Sequence, residues 1–123
     1  MMSKTSKVTH PEDRHWKPVD VRGTTMETCT LWEGGHGTCA GLYRMPTGMR
    51  IARHLHARWV QVFVVEGAMR VDDDAGGVHT VDAGGYYFVE PGESHVETAL
   101  RDTVVLVVED EDRDGTGQGQ AGD

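Results

Sequence analysis

Residues 48–67 (GMRIARHLHARWVQVFVVEG) and residues 84–95 (GGYYFVEPGESH) are the two stretches that decide the fold. In the first, His54 and His56 lie two positions apart in a run that is typical of a β-strand, so their side chains point to the same face. This spacing is about 6–7 Å along a strand, which lets two imidazoles reach one metal ion. The pair alone also fits two solvent-facing histidines on either side of Leu55.

The second stretch places a third histidine at the start of a strand. His95 comes 39 residues after His56 and closely follows Pro91 and Gly92. A tight Pro-Gly turn determines where the next strand begins, and so it aims the first side chain of that strand.

The rest of the chain has almost no helical periodicity. Short apolar or alternating runs are separated by Gly, Pro or Asp, and 16 of the 123 residues are glycine, which favours many tight turns. Many short strands at such spacing predict an all-β sandwich or barrel. The predicted strands are Glu27–Trp32, Thr38–Met45, Arg50–His56, Val60–Glu66, Ala68–Asp72, Val78–Val81, Gly85–Val89, His95–Ala99 and Thr103–Glu109.

Together the two stretches resemble the paired motifs of the cupin superfamily. The first reads Gly48-x5-His54-x-His56 and continues to Gly67, and the second reads Gly84-x5-Glu90-Pro91-Gly92-x2-His95. The resemblance covers residues 37–108. It implies a cupin double-stranded β-helix, or jelly-roll barrel, inside which His54, His56 and His95 hold one divalent metal ion.

The ligand set departs from the usual pattern of the cupins that the chain resembles. Most of them have a glutamate after the second histidine with three or four residues in between, where this chain has Val60 and Gln61. We therefore expect three neutral imidazoles as the main ligands, with Gln61 as a weaker fourth ligand if the strand is bulged. Glu90 either accepts a hydrogen bond from a ligating imidazole or is an exposed acid of the turn. Gln61 and Glu90 are the candidate catalytic residues.

The sequence around the histidines is similar to that of small bacterial cupins of two kinds, the anti-sigma-factor metal domains and the diketone-cleaving dioxygenases. The match of His54, His56, Val60 and His95 implies a non-haem Fe(II) dioxygenase that acts on a small enolisable carbonyl compound, of the diketone or acyl-phenol type. Three neutral ligands leave the full charge on the ion, which favours an anionic substrate. Zn, Ni and Mn are alternative ions, since imidazole serves several metals. The alternative functions are a redox-neutral Zn or Ni isomerase, lyase or polyketide cyclase, and a non-catalytic metal or ligand sensor.

Length and charge predict one domain with loose ends. We expect a flexible N-terminus at residues 1–12, the barrel at residues 13–109 and a disordered acidic tail at residues 110–123. The segment from residue 109 on carries six acids, one arginine and no apolar side chain larger than that of alanine. Such a segment cannot offset the entropy of ordering.

Composition also limits the classes of partner that we expect. The formal net charge is -8 with no basic stripe, which argues against nucleic acid. No apolar run approaches the length of a membrane span or a secretory signal, so we expect a cytoplasmic protein with no membrane partner. Thr103–Glu109 and Val60–Val65 are apolar on both faces, which predicts a second sheet or a second subunit against their outer sides and hence a homodimer.

Overall fold

The computed structural model of the chain describes residues 5–110. Within them, a short 3₁₀ helix at Pro11–Asp13 precedes ten strands. The strands are β1 (Lys17–Val21), β2 (Thr24–Trp32), β3 (Thr38–Met45), β4 (Arg50–Leu55), β5 (Val60–Glu66), β6 (Ala68–Asp73), β7 (Val78–Asp82), β8 (Tyr86–Val89), β9 (Ser94–Ala99) and β10 (Thr103–Asp110).

The strands form two antiparallel sheets. One has six strands in the order β1-β2-β3-β10-β5-β8, and the other has four strands in the order β4-β9-β6-β7. Alternate residues of both sheets meet in one apolar core, to which the larger sheet contributes Val62 and Val105 and the smaller sheet Ile51 and Met69. Strands with one buried face are stabilised in this way when two sheets pack together. The predicted all-β double-sheet barrel is confirmed.

The predicted strands agree with the structure except at their ends and at β1. Lys17–Val21 was not predicted as a strand, and it contains Pro18, which cannot donate to a ladder. The structure accommodates this proline in an edge strand, since β1 pairs with β2 alone. His56 was predicted inside a strand and lies directly after the end of β4.

Gly67 joins β5 to β6 in a way that no other residue allows. Its φ is +85°, and a Cβ at this position would run into the carbonyl oxygen of Asp102. Glycine adopts such a φ at little cost, whereas other residues are strained there. The turn therefore lets the chain cross from the larger sheet to the smaller one.

The outer side of β10 is partly covered by the chain itself. Val104 is buried with Cys29 and Leu42, and Trp16 from the N-terminal segment packs against this group. The guanidinium of Arg44 lies 4.1 Å from the centre of the Trp16 ring. On the outer side of β5, Phe63 is 40% exposed. The homodimer stays a prediction.

The predicted domain boundaries lie close to the ends of the described residues. The predicted boundary at residue 12 falls within the 3₁₀ helix, and β10 ends at Asp110, one residue beyond the predicted end of the barrel. The tail predicted to be disordered lies, from residue 111 on, outside the described residues. No helix between residues 5 and 110 is long and apolar enough to span a membrane. The cellular compartment stays a prediction.

Candidate metal centre

Two neighbouring strands of the smaller sheet carry the histidines to one place. His54 on β4 is paired directly with His95 on β9, and His56 follows at the end of β4. The turn at Pro91 and Gly92 is tied to the same point, because the Gly92 N–H donates to the carbonyl oxygen of His56 over 2.8 Å. The two sequence motifs are thus joined by backbone hydrogen bonds.

A β-bulge aims the first histidine. Ile51 pairs with Glu97 and His54 pairs with His95, so β4 has one residue more than β9 between these two pairs. Ile51 and His54 are three positions apart, yet both face the cavity. Regular alternation would send them to opposite faces, and a bulge is the device that re-aims a side chain.

The three imidazoles converge. The Nε2 atoms of His54 and His95 are 2.9 Å apart, and one ring nitrogen from each of the three histidines lies within 4.8 Å of the other two. The three residues are between 2% and 8% exposed. Nitrogens that are each about 2.1 Å from one ion lie about 3–4 Å apart. The group can therefore hold a metal ion after small adjustments of the rings.

The protonation state of the rings suits a metal ion. The Nδ1 of His54 lies 2.7 Å from the carbonyl oxygen of Ala52, in the bulge. A carbonyl only accepts, so Nδ1 carries the proton and the neutral ring presents its Nε2 lone pair to the cavity. Burial lowers the pKa of His54, and burial together with the neighbouring His54 lowers the pKa of His56 to about 3. Neutral imidazole is the form that binds metals.

The histidines lie at one side of a small cavity of about 50 Å³. We call the inner face of the four-stranded sheet the ligand wall (Ile51, His54, His95, Glu97). The facing side of the six-stranded sheet is mainly apolar, and we call its apolar residues the apolar wall (Met45, Val60, Val62, Val105, Val107). Tyr43 and Glu109 line the cavity from the same sheet. Because a water molecule takes up about 30 Å³, the enclosed space suits an ion and one or two small ligand groups.

Two side chains beside the imidazoles were not predicted as site residues from the sequence. Glu97 is only 9% exposed, and its Oε1 lies 3.5 Å from the Nε2 of His95 and 3.7 Å from the Nε2 of His54. The Tyr87 hydroxyl donates to the other oxygen, Oε2, of Glu97. Burial, followed by the charge of Glu97, raises the pKa of Tyr87 well above its ordinary value, so the phenol keeps its proton. The spacing of two residues between His95 and Glu97 was the available signal, since it is the spacing of His54 and His56.

Gln61 does not reach the histidines. β5 and β8 pair in continuous register, and Val60 and Val62 face the cavity on either side of Gln61. The Gln61 side chain therefore points outward, where its Oε1 accepts a hydrogen bond of 2.9 Å from the Tyr86 hydroxyl. The structure does not bring Gln61 to the histidines as the predicted ligand role required, because the irregularity of β5 lies at Val65, against β10, and leaves the alternation from Val60 to Val62 intact. The catalytic role of Gln61 stays a prediction.

Glu90 lies outside the cavity as well. It is an exposed residue of the turn before β9, and its backbone N–H donates to the Glu93 carboxylate over 3.1 Å. Of the two roles considered for Glu90, the geometry fits the exposed turn acid. The acid beside the imidazoles is Glu97.

Comparisons with known proteins agree with this fold and site. The family model of the ChrR cupin-like domain matches residues 4–112. No curated protein sequence gave a significant match. Three similar solved structures each match most of this chain. The first is the polyketide cyclase RemF from Streptomyces resistomycificus, which is 20% identical over 91% of this chain and 81% of that one, with a TM-score of 0.74.

The second is a proposed acetylacetone dioxygenase from Methylibium petroleiphilum, at 20% identity over 89% of this chain and 80% of that one, with a TM-score of 0.68. The third is the Rhodobacter sphaeroides complex of SigE with the anti-sigma factor ChrR, at 25% identity over 82% of this chain and 52% of that one, with a TM-score of 0.65. The resemblance seen in the two sequence motifs is confirmed. The chain belongs to the ChrR cupin-like domain family and folds as a small cupin barrel.

Proposed function

We propose that this protein is a non-haem Fe(II) dioxygenase that cleaves a C–C bond in a small enolisable carbonyl compound, of the diketone or acyl-phenol type. The observation that supports it is the convergence of three imidazoles in a buried cavity whose facing wall is mainly apolar. Fe(II) is the proposed ion, and Zn, Ni and Mn also accept imidazole ligands.

His54, His56 and His95 would hold the ion, since their nitrogens are the donor atoms that converge. Three such donors leave coordination positions open for a substrate and for O₂. The ion, when bound, supplies Lewis acidity and the redox chemistry that O₂ requires.

The remaining residues shape what can enter. The apolar wall, including Val60 and Val62, excludes water and strengthens electrostatic attraction between the ion and a bound anion. A space of about 50 Å³ admits the chelating end of a compound and keeps the remainder of it at the mouth. We expect the substrate to be a small compound that presents two oxygen atoms to the ion, as the enolate of a diketone does.

The reaction balances without a further reductant. A diketone and O₂ give a carboxylic acid and a 2-oxoaldehyde, with both atoms of O₂ retained in the two products. For acetylacetone the products would be acetate and methylglyoxal.

A second candidate function uses no O₂. Glu97 and Tyr87 place a carboxylate and a phenol beside the three imidazoles. Such a pair can accept and return a proton at a bound substrate, which is what an isomerase, lyase or polyketide cyclase with Zn or Ni requires. The shared fold of the cyclase RemF is consistent with this function.

Oxygen uptake separates the two candidates. The protein is loaded anaerobically with Fe(II) and mixed with O₂ and a panel of diketones and hydroxyacetophenones, while uptake and products are followed. We expect uptake equimolar with substrate loss, and none with His95→Ala. No uptake across the panel would contradict the dioxygenase. Full zinc occupancy of protein purified without added iron, with O₂-independent turnover, would favour the second function, and a stoichiometric protein partner without turnover would favour a sensor.

A further inference from the structure

Glu97 has the geometry of a metal ligand. Its Oε1 forms a triangle with the Nε2 atoms of His54 and His95, with edges of 2.9, 3.5 and 3.7 Å. Donor atoms that are each about 2.1 Å from one ion lie about 3.0–3.4 Å apart in octahedral or tetrahedral arrangements. One ion can therefore contact all three atoms with only small side-chain movements.

The hydrogen bond that positions the Glu97 carboxylate is made by its other oxygen. The Tyr87 hydroxyl donates to Oε2, on the far side of the carboxylate from the imidazoles. His54 has its proton on Nδ1, which donates to Ala52, so its Nε2 offers Oε1 no hydrogen. Glu97 Oε1 and His54 Nε2 are therefore two acceptors 3.7 Å apart, and a cation between them would attract both.

The burial of Glu97 also favours a bound cation. Glu97 is 9% exposed, and taking a carboxylate out of water without compensation costs several kcal/mol. Tyr87 donates to one oxygen of this carboxylate, whereas Val60 and Val62, which line the same cavity, have no donor for the other oxygen. A cation held jointly with the histidines would offset this cost.

We propose that Glu97 is the carboxylate ligand of the metal centre, that it binds through Oε1 beside His54, His56 and His95, and that Tyr87 is its positioning residue. The inference rests on the metal binding of the proposed function. It places four ligands on one side of the cavity, three of them on the ligand wall and His56 just beyond β4.

The carboxylate changes the charge that a substrate meets. Three imidazoles leave a divalent ion at +2, whereas the addition of Glu97 lowers the charge of the centre to +1. A monoanion such as an enolate then makes the bound site neutral, which is favourable where the surroundings are of low dielectric. The centre thus selects singly charged chelating compounds over dicarboxylates.

The test compares metal binding by the wild-type protein, Glu97→Gln and Tyr87→Phe, with Glu66→Gln as the matched control on an exposed residue of β5. Affinities for Zn(II) and Co(II) are measured by competition with a chromophoric chelator, and the visible spectrum of the Co(II) protein reports its ligands. We expect Glu97→Gln to lose about 100-fold or more in affinity and to change the Co(II) spectrum. Tyr87→Phe should lose roughly 10-fold, the lower end of the 10- to 100-fold cost of removing an outer hydrogen-bond partner. Glu66→Gln should match the wild type.

Two results would overturn the proposal: wild-type affinity in Glu97→Gln, or a loss no greater than that of Tyr87→Phe with an unchanged Co(II) spectrum. Glu97→Ala gives an independent second variant, and circular dichroism of the metal-free proteins checks that each is folded. Failure of the wild-type protein to bind any ion would remove the proposed function as well. Normal metal binding without O₂ uptake would remove the dioxygenase and leave the role of Glu97 intact.

Discussion

The ligand wall and the apolar wall face each other across the same cavity, yet they contribute different chemistry. The four-stranded sheet presents two imidazoles and a carboxylate, while the six-stranded sheet presents mainly methyl groups, with Tyr87 reaching across to Glu97. The polar groups are therefore supplied by few strands, and their positions depend on one bulge and one strand pairing. The apolar wall needs only volume and exclusion of water, so it depends on packing.

The largest expected effect comes from removing a ligand. We expect the wild-type protein to retain equimolar Zn(II) or Fe(II) after dialysis and His95→Ala to lose it, because His95 is 2% exposed and its Nε2 is 2.9 Å from that of His54. Metal analysis by mass spectrometry measures it. His79→Ala is the matched control, since His79 is exposed and pairs with Asp73 outside this cavity. If His95→Ala retained the ion, metal binding would not depend on the ligand wall as expected.

A change in the apolar wall should affect stability and leave the ion in place. Met45 is 2% exposed and lines the cavity from β3, so Met45→Ala should lower the free energy of unfolding by about 2–5 kcal/mol. Its affinity for Zn(II) should stay at the wild-type value, since Met45 belongs to the facing sheet. Urea denaturation and chelator competition measure the two quantities. A drop in affinity comparable to that of His95→Ala would show that the walls do not act separately.

Acid should destabilise the metal-free protein through the histidines of the site. The pKa of His56 is lowered from 6.5 to about 3 in the folded protein, mainly by burial. Below pH 6.5 the unfolded chain therefore binds more protons than the folded one, and the free energy of unfolding falls by about 1.4 kcal/mol per pH unit for this group. The contribution is fully present above pH 6.5 and is lost progressively down to about pH 3.

Urea denaturation between pH 7 and pH 4 measures this slope. His56→Gln should flatten it, whereas Met45→Ala should lower the whole curve and keep its slope. An unchanged slope in His56→Gln would contradict the expected role of burial.

The smallest effect is expected on the outer face of the apolar wall. Gln61→Ala removes the hydrogen bond to Tyr86, which lies at an exposed position. We expect a loss of less than about 1 kcal/mol in the free energy of unfolding and no change in metal affinity. Thermal denaturation and chelator competition check both. Weaker Zn(II) binding by this variant would restore Gln61 as a ligand.

Much of the strand pattern could be predicted from the sequence. Thr38–Met45 and Val60–Glu66 agree with the structure to the residue, because glycine or proline turns follow both strands. Alternation also put Val60 and Val62 on the inner face of β5. It could not say whether Tyr87 or its neighbours Tyr86 and Phe88 face inward, because both sets are aromatic and either could line the core.

The carboxylate of the site shows where sequence reasoning stopped. Glu90 and Gln61 were considered because they lie inside the motifs, whereas Glu97, two residues beyond His95 and on the same face of β9, was not considered. The bulge at Ala52 and Arg53, which puts Ile51 and His54 on one face, has no local signature in the residue types. The bulge forms where β4 pairs with β9. Because these strands are far apart in the chain, no single residue type predicts their pairing.

The sequence by itself determined an all-β barrel, three histidines on two motifs and a valine where a glutamate is usual, because strand alternation and turn chemistry are local properties. Only the tertiary structure decided which acid meets the imidazoles, which tyrosine faces the cavity and that Gln61 faces away. Those choices depend on the register of β4 against β9 and of β5 against β8. Register is determined by the packing of both sheets around one core.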